Sequence, residues 1–289
     1  MTIREKGYAH WTGRLEERKY PWWPITRMGI KLAFKTKGFR LFFIFSLIPS
    51  VAYLAGIYIS ERIESFRFMI KGSEKILQIN PGYFKSYLTG DFLLFMIIML
   101  LVFGGARLIS DDLKNNSLQL YFSRPILKMD YFLGKASVLF FFLLILTLVP
   151  GLVFFLMKLV FSGSFQFFAT YPWLPLSIIV YSALLTAFFS SYALLLSSLS
   201  KNRRYVAILT FTVYIFSDVV FGIFYGIFRS PYVALISLKL NLQQVGAFLF
   251  RQKAPYAVPW FYSLLVLLSV CVLAAVVLRK KIRSVEVIK

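Results

Sequence analysis

Residues 110–135 read SDDLKNNSLQLYFSRPILKMDYFLGK, a polar island between two apolar runs that are each long enough to cross a bilayer. Ser110 carries the hydroxyl of a helix N-cap, and Asp111 and Asp112 in the first turn would meet the positive end of the helix dipole. Leu113, Leu118, Leu120, Tyr121 and Phe122 supply a broad apolar stripe. Pro125 disfavours helical geometry at Arg124, so the helix is expected to end there. Asp130 offers a second cap, leading through Gly134-Lys135 into the next apolar run. The spacing leaves two readings open: a short helix at the membrane surface offered to a soluble partner, or an ordinary solvated loop.

The composition around the island sets the class. Of 289 residues 59% are hydrophobic and 32 are Phe, with a mean hydropathy of +0.72. A soluble domain of this length needs far more polar surface, so the chain reads as an integral membrane protein. The net charge is +21, from 33 Lys and Arg against 12 Asp and Glu. Nucleic acid is the usual partner of such an excess. Here, however, the basic residues flank apolar runs, where topology and anionic headgroups explain them, and no nucleic-acid partner is expected. Residues 1–20 lack an apolar core followed by a small-residue cleavage site, so they do not read as a signal peptide. Cys271 and His10 are the single cysteine and histidine, which argues against an intrachain disulfide or a Cys- or His-based metal site.

Working outward, six spans are expected at residues 39–60, 92–109, 136–159, 176–199, 205–228 and 256–278. Pro150-Gly151 should kink the third. Before the first span, residues 1–38 are polar, basic and aromatic. Ile25, Met28, Leu32 and Ala33 recur at helical spacing there, opposite Arg27, Lys31 and Lys35. That pattern is an amphipathic helix lying in the membrane interface, with Trp22 and Trp23 as headgroup-level anchors. In the fourth span Ser182, Thr186, Ser190, Ala193 and Ser197 form a small polar seam of the kind that packs helix against helix in lipid. Lys201, Asn202, Arg203 and Arg204 make a tight basic turn. The fifth span holds Asp218, an intramembrane acid that shares a face with Gly222 and Gly226. Its two readings are a functional coupling group or a residue satisfied by a neighbouring Ser, Tyr or Lys, with the glycines suggesting close helix packing. Residues 229–253 are too polar to span and read as a re-entrant or surface helix before the last span.

Six crossings put both termini on one side. Of the 33 basic residues, 23 fall in residues 1–40, in residues 107–135, in the Lys201 turn and in the tail from 279 to 289, and 10 fall in the opposite segments. The positive-inside rule makes the first set cytoplasmic. One membrane domain, residues 39–278, is expected between an interfacial segment and a basic tail.

Enzyme motifs fail. Gly134-Lys135 invites a phosphate-loop reading, but Met129 stands where its first glycine belongs and Ala136 where Ser or Thr is needed. No GxSxG elbow occurs, one histidine excludes HExxH, and adjacent Asp111 and Asp112 point to different sides of a helix. The chain is not expected to be an enzyme.

The island nevertheless resembles the signature region of ABC-2-type transporter permeases. In that pattern a second span ends in an acidic amphipathic helix, followed by a Gly-Thr-like pair, an apolar run, Ser-x-Pro, a basic residue and Gly-Lys opening the third span. Here it reads Ser110-Asp111-Asp112, Asn116-Ser117, Leu118 to Phe122, Ser123-Arg124-Pro125, Lys128 and Gly134-Lys135. Asn116-Ser117 replaces the usual Gly-Thr, and aspartate replaces the more usual glutamate. The stretch LLLSSLSKNRRYVAIL is similar to the family's second cytoplasmic turn. The resemblance implies an all-α membrane protein with six transmembrane helices, an N-terminal interfacial amphipathic helix, a cytoplasmic coupling helix between spans 2 and 3, and an outer helix before span 6. It implies the permease subunit of an exporter, working as a homodimer or as a heterodimer with a related permease in a prokaryotic inner membrane. A separate ATP-binding cassette ATPase would bind ATP and Mg and dock on the island (Ser110, Asp111, Asp112, Leu113, Asn116, Ser117, Leu118, Leu120, Arg124, Pro125) and on Lys201, Asn202 and Arg203. Mutating Asp112 or Leu118 is expected to uncouple that ATPase while leaving folding intact. Alternatives are ATP-driven force transmission to a periplasmic partner, or an autonomous transporter or channel using Asp218.

Overall fold

The computed structural model describes residues 20–61, 79–122 and 126–286, and among them every regular element is helical. Among the described residues six helical spans are long and apolar enough to cross a membrane: Lys37–Glu61, Pro81–Lys114, Lys128–Ser162, Leu174–Leu199, Arg203–Phe228 and Trp260–Lys281. They are numbered 1 to 6 below. Spans 2, 3 and 4 form the centre, with 67%, 56% and 67% of their apolar windows buried, against 17%, 17% and 22% for spans 1, 5 and 6. Tyr181, Leu185, Phe188 and Phe189 of span 4 are at most 1% exposed, so this helix is the axis of the bundle. The outward apolar surface of the peripheral spans is what lipid tails require, since lipid solvates Leu and Phe without penalty.

Two spans are interrupted for identifiable reasons. Span 3 bends at Thr147 (φ −113°, ψ −61°), between helices Lys128–Leu146 and Leu148–Ser162. The expected kink at Pro150-Gly151 therefore falls a turn early, because a proline removes the hydrogen bond to the carbonyl four residues before it. That carbonyl, on Leu146, instead accepts from the Tyr87 hydroxyl of span 2 at 2.8 Å. Span 2 begins earlier than the apolar run suggests, with a helix Pro81–Leu88 at the end away from the island (called outer below for that position alone), capped by Asn80, whose Oδ1 accepts from Tyr83 N at 3.3 Å. Span 3 begins at Lys128 with Leu127 at the N-cap, so Asp130, expected as a cap, is instead the third helical residue and reaches back to accept from Leu127 N at 3.2 Å.

The N-terminal helix, Trp22–Lys35, lies across span 3. Thr26 Oγ1 donates to Gly134 O at 3.1 Å, and a Cβ on Gly134 would sit 2.8 Å from Ile25 Cβ and 3.0 Å from Trp22 O. The crossing thus needs glycine for close backbone approach. The buried residues are Ile25, Thr26 and Ala33, whereas Met28 and Leu32 are 54% and 41% exposed, so only half of the expected apolar face packs inward. Trp23, Arg27, Lys31 and Lys35 are exposed and Trp22 is half-buried. Gly134→Val is expected to cost about 1–3 kcal/mol by overpacking this crossing. An unchanged unfolding midpoint in detergent would refute the tight crossing.

On the side opposite the island, residues 229–253 do not cross. They form a short 3-10 helix, Pro231–Ile236, and an outer helix, Leu238–Leu249. The polar residues that keep this stretch from spanning bond to backbone. Asn241 Nδ2 donates to Leu235 O at 2.9 Å and Ser237 O at 2.8 Å, and Gln244 Nε2 donates to Tyr256 O at 3.0 Å. Tyr181 OH of span 4 donates to Leu242 O at 3.0 Å, seating the outer helix on the bundle.

Candidate functional site

The island end of span 2 is built on a break in its helix. Leu101–Gly105 form a π turn closed by Ala106 N donating to Leu101 O at 2.8 Å, and the α-helix restarts at Arg107–Lys114. Gly104 and Gly105 admit neighbours here: a Cβ on Gly104 would meet Phe39 of span 1 at 2.6 Å, and one on Gly105 would meet Ala193 of span 4 at 3.1 Å. A restarting helix leaves its first N–H groups without intrahelical acceptors. Ser197 of span 4 supplies one, accepting from Ile109 N at 3.0 Å and Ser110 N at 3.1 Å while donating to Ala106 O at 3.0 Å.

Ser110 is therefore not an N-cap. It sits mid-helix, fully buried, and its Oγ donates to Ala106 O at 2.5 Å. Asp111 and Asp112 correspondingly lie in the last turn, not the first, because apolar residues 106–109 extend the helix past the expected start. The C-terminal end of a helix is unfavourable for carboxylates, and both have cationic partners. Arg107 Nε pairs with Asp111 at 3.3 Å, and its Nη1 also donates to Thr36 Oγ1 beside span 1. Asp112 Oδ2 lies 2.6 Å from Lys135 Nζ and accepts from Tyr131 OH at 2.8 Å, both on span 3. Lys135 is 8% exposed and its Nζ stands 5.5 Å and 5.9 Å from the ring centroids of Tyr131 and Tyr121. Burial raises the Tyr121 phenol above its ordinary pKa, and the Asp112 charge adds to that.

Beyond Lys114 the chain turns at Asn116, whose φ of 52° is a left-handed conformation that Asn and Gly adopt most readily. That explains Asn where the resemblance has glycine. A short island helix, Ser117–Phe122, follows, anchored by Leu118 at 3% exposure, with Leu113 buried behind it. The helical reading of this part of the island is the one the structure bears out. Leu118 and Asp112 are built into the packing, so replacing them is expected to disturb folding as well as any surface role. Leu120 lies within the island helix; Ser123, Arg124 and Pro125, with the expected helix end, lie outside the described residues.

The end of span 2 faces the turn between spans 4 and 5 across a cleft of about 590 Å³, lined by Asp111, Lys114, Asn115, Lys201, Asn202, Arg203 and Arg204. Asn202 caps span 5, its Oδ1 accepting from Arg204 N at 3.0 Å. The cleft thus brings the island and the Lys201 turn together. Sequence reasoning did not assign Arg107, Lys114, Tyr131, Lys135 or Ser197 to this site. The Gly134-Lys135 dyad was visible as a motif, but its partner, Asp112, is a tertiary neighbour.

The intramembrane candidates lie elsewhere. Asp218 is held by its neighbours: Ser237 Oγ donates to its Oδ1, and Lys239 Nζ stands 3.0 Å from its Oδ2. Lys239 also approaches Asp91 at 3.6 Å, which accepts from Gln243 Nε2 at 2.9 Å. Burial by itself would lower the Lys239 pKa, but the Asp218 and Asp91 carboxylates outweigh it and leave the ammonium above its ordinary value. Asp218 therefore clamps the outer helix to span 5, which favours the reading of a satisfied residue. A Cβ added to Gly222 or Gly226 would meet nothing within 4 Å, so these glycines form no close packing among the described residues; the outer half of span 5 is largely exposed on their side. Of the seam, Ser182, Thr186, Ser190 and Ser197 are at most 1% exposed, and Ala193 and Ser197 pack on span 2. Asp218→Asn is expected to cost about 1–2 kcal/mol by weakening a charge-assisted bond. Thermal unfolding reads that loss, and no loss would remove the clamp.

A family profile described as ABC-2 family transporter protein matches residues 35–218, from the start of span 1 to Asp218. No curated protein matches the chain. The match covers the first four spans, the island and most of span 5. With six membrane-length helices and a family match over most of its length, the chain belongs to the ABC-2 family of transporter proteins and is a multi-pass permease subunit of an ATP-binding cassette transporter.

Proposed function

We propose that this permease is an exporter subunit driven by a separate ATPase that docks from the cytoplasm on the island helix and the Lys201 turn. Family membership implies an ATP-binding cassette ATPase as partner. ATP and Mg are bound by that partner, and this chain is no enzyme in its own right. The observation that carries the reading is the set of ties behind the island. Asp112 is fastened to Lys135 and Tyr131 of span 3, and the same helix is fastened to Ser197 of span 4. A push on the island therefore moves spans 2, 3 and 4 as a unit, which is what biasing a bundle between two packings needs. The exposed basic and aromatic residues of the N-terminal helix suit the interface, with both termini cytoplasmic by the positive-inside rule in an inner membrane. A second permease, identical or related, would cover the open outer half of span 5 around Gly222 and Gly226.

Gln119 is exposed on the island helix. Gln119→Trp is expected to reduce co-purification of the ATPase in mild detergent by about tenfold, the usual size of a central interface lesion. Undiminished co-purification, or the absence of any ATPase with the native chain, would overturn the reading.

A further inference from the structure

We infer that the cleft between the end of span 2 and the Lys201–Arg204 turn binds the phosphate headgroup of an anionic phospholipid. The inference rests on the chain spanning a membrane and not on the docking of an ATPase, although the Lys201 turn proposed above as a docking surface also lines this cleft.

The charge is the first observation. Lys114, Lys201, Arg203 and Arg204 surround the 590 Å³ cleft, all four are exposed, and none makes an ion pair among the described residues. The one carboxylate in the lining, Asp111, is already paired with Arg107 at 3.3 Å. Four like charges around one cavity repel one another, and an anion between them removes that repulsion. The cleft also lies at the N-terminus of span 5, where the helix dipole favours an anion. Arginine forks suit a phosphodiester, and the lysines add point charge.

Depth and surroundings decide which anion. Spans 4 and 5 end and begin at Leu199 and Arg203, so the turn stands at the boundary of the apolar slab. The island side also stands at the end of an apolar span, since span 2 ends at Lys114. Directly beyond the cations, Tyr205, Ile208 and Leu209 are 67%, 62% and 36% exposed, and Ile208 shares the helix face of Arg204. A cationic pocket that continues into an exposed apolar strip fits a phosphate with acyl chains attached. A free phosphate would have no use for the strip. Basic pockets at the ends of spans are characteristic sites for anionic headgroups.

The test uses the full chain, delipidated in mild detergent and mixed with equal amounts of phosphatidylglycerol and phosphatidylcholine, with bound lipid read by native mass spectrometry. The native chain is expected to retain phosphatidylglycerol about tenfold over phosphatidylcholine, and Arg203→Gln/Arg204→Gln to lose that preference. Arg203→Lys/Arg204→Lys, which keeps the charge, should retain most of it, and retention by the native chain should fall as salt rises. These two arms decide the matter if the Gln variant does not fold. Equal retention of the two lipids, retention unmoved by salt, or an unchanged preference in the Gln variant would overturn the inference. So would loss of the preference in Arg27→Gln/Lys31→Gln alone, which would place the lipid on the N-terminal helix. Displacement by inorganic phosphate beyond that caused by chloride at the same ionic strength would make the ligand a free anion and overturn the lipid assignment.

Discussion

Lys135→Met is expected to destabilise the protein by about 3–5 kcal/mol, the cost of leaving one member of a buried ion pair without its partner. The side chains of Lys135 and Asp112 are only 10% and 14% exposed, so water cannot replace the lost ammonium. Tyr131 OH would still donate to Asp112, but one neutral hydrogen bond does not compensate a buried carboxylate. Asp112→Asn in the Lys135→Met background should recover most of the loss, because the amide removes the charge and still accepts from Tyr131. Denaturation in detergent of the native chain, the two single variants and the double variant gives the coupling directly. If the double variant is as unstable as the sum of the singles, the pair is not what ties the island to span 3. The functional counterpart is that Lys135→Met should also loosen the transmission from the island to the bundle, whatever drives it.

Ser197→Ala ranks second, at about 2–4 kcal/mol. It removes the acceptor for Ile109 N and Ser110 N and the donor to Ala106 O, all in a buried setting. Removing one side of a buried hydrogen bond costs more than the bond is worth, because the orphaned group is left without water. Hydrogen exchange should show the effect locally, as faster exchange at Ile109 and Ser110 than at amides in span 4. Unaltered protection there would mean that the restarting helix finds its own acceptors.

Much of the architecture was legible in the residues. Apolar runs of membrane length, Phe-rich and bounded by basic residues, leave no alternative to spanning helices, since a spanning segment must satisfy its own backbone. The outer stretch around Asn241, Gln243 and Gln244 is legible for the converse reason: its amides need backbone partners that lipid does not offer. Asn116 was legible as a departure from the family pattern, and its left-handed backbone gives the reason. What local rules misplaced is the polarity of the island helix. Ser110 has the chemistry of a cap and Asp111 and Asp112 that of a first turn, but local pattern cannot show a helix continuing through them. The same holds for Gly222 and Gly226, whose spacing suggests packing but whose surroundings are open among the described residues.

By itself the sequence determined the class of protein, the number of spans and the place of the polar island, because burial in lipid is set by the composition of each segment. Only the tertiary structure decided which groups complete one another. The N–H groups that a local cap would satisfy are satisfied by Ser197, 87 and 88 residues away, and the charge of Asp112 is met by Lys135 across two helices. Hydrogen bonds and charges are settled by distance in space, and at the island that distance is set by the packing of spans 2, 3 and 4.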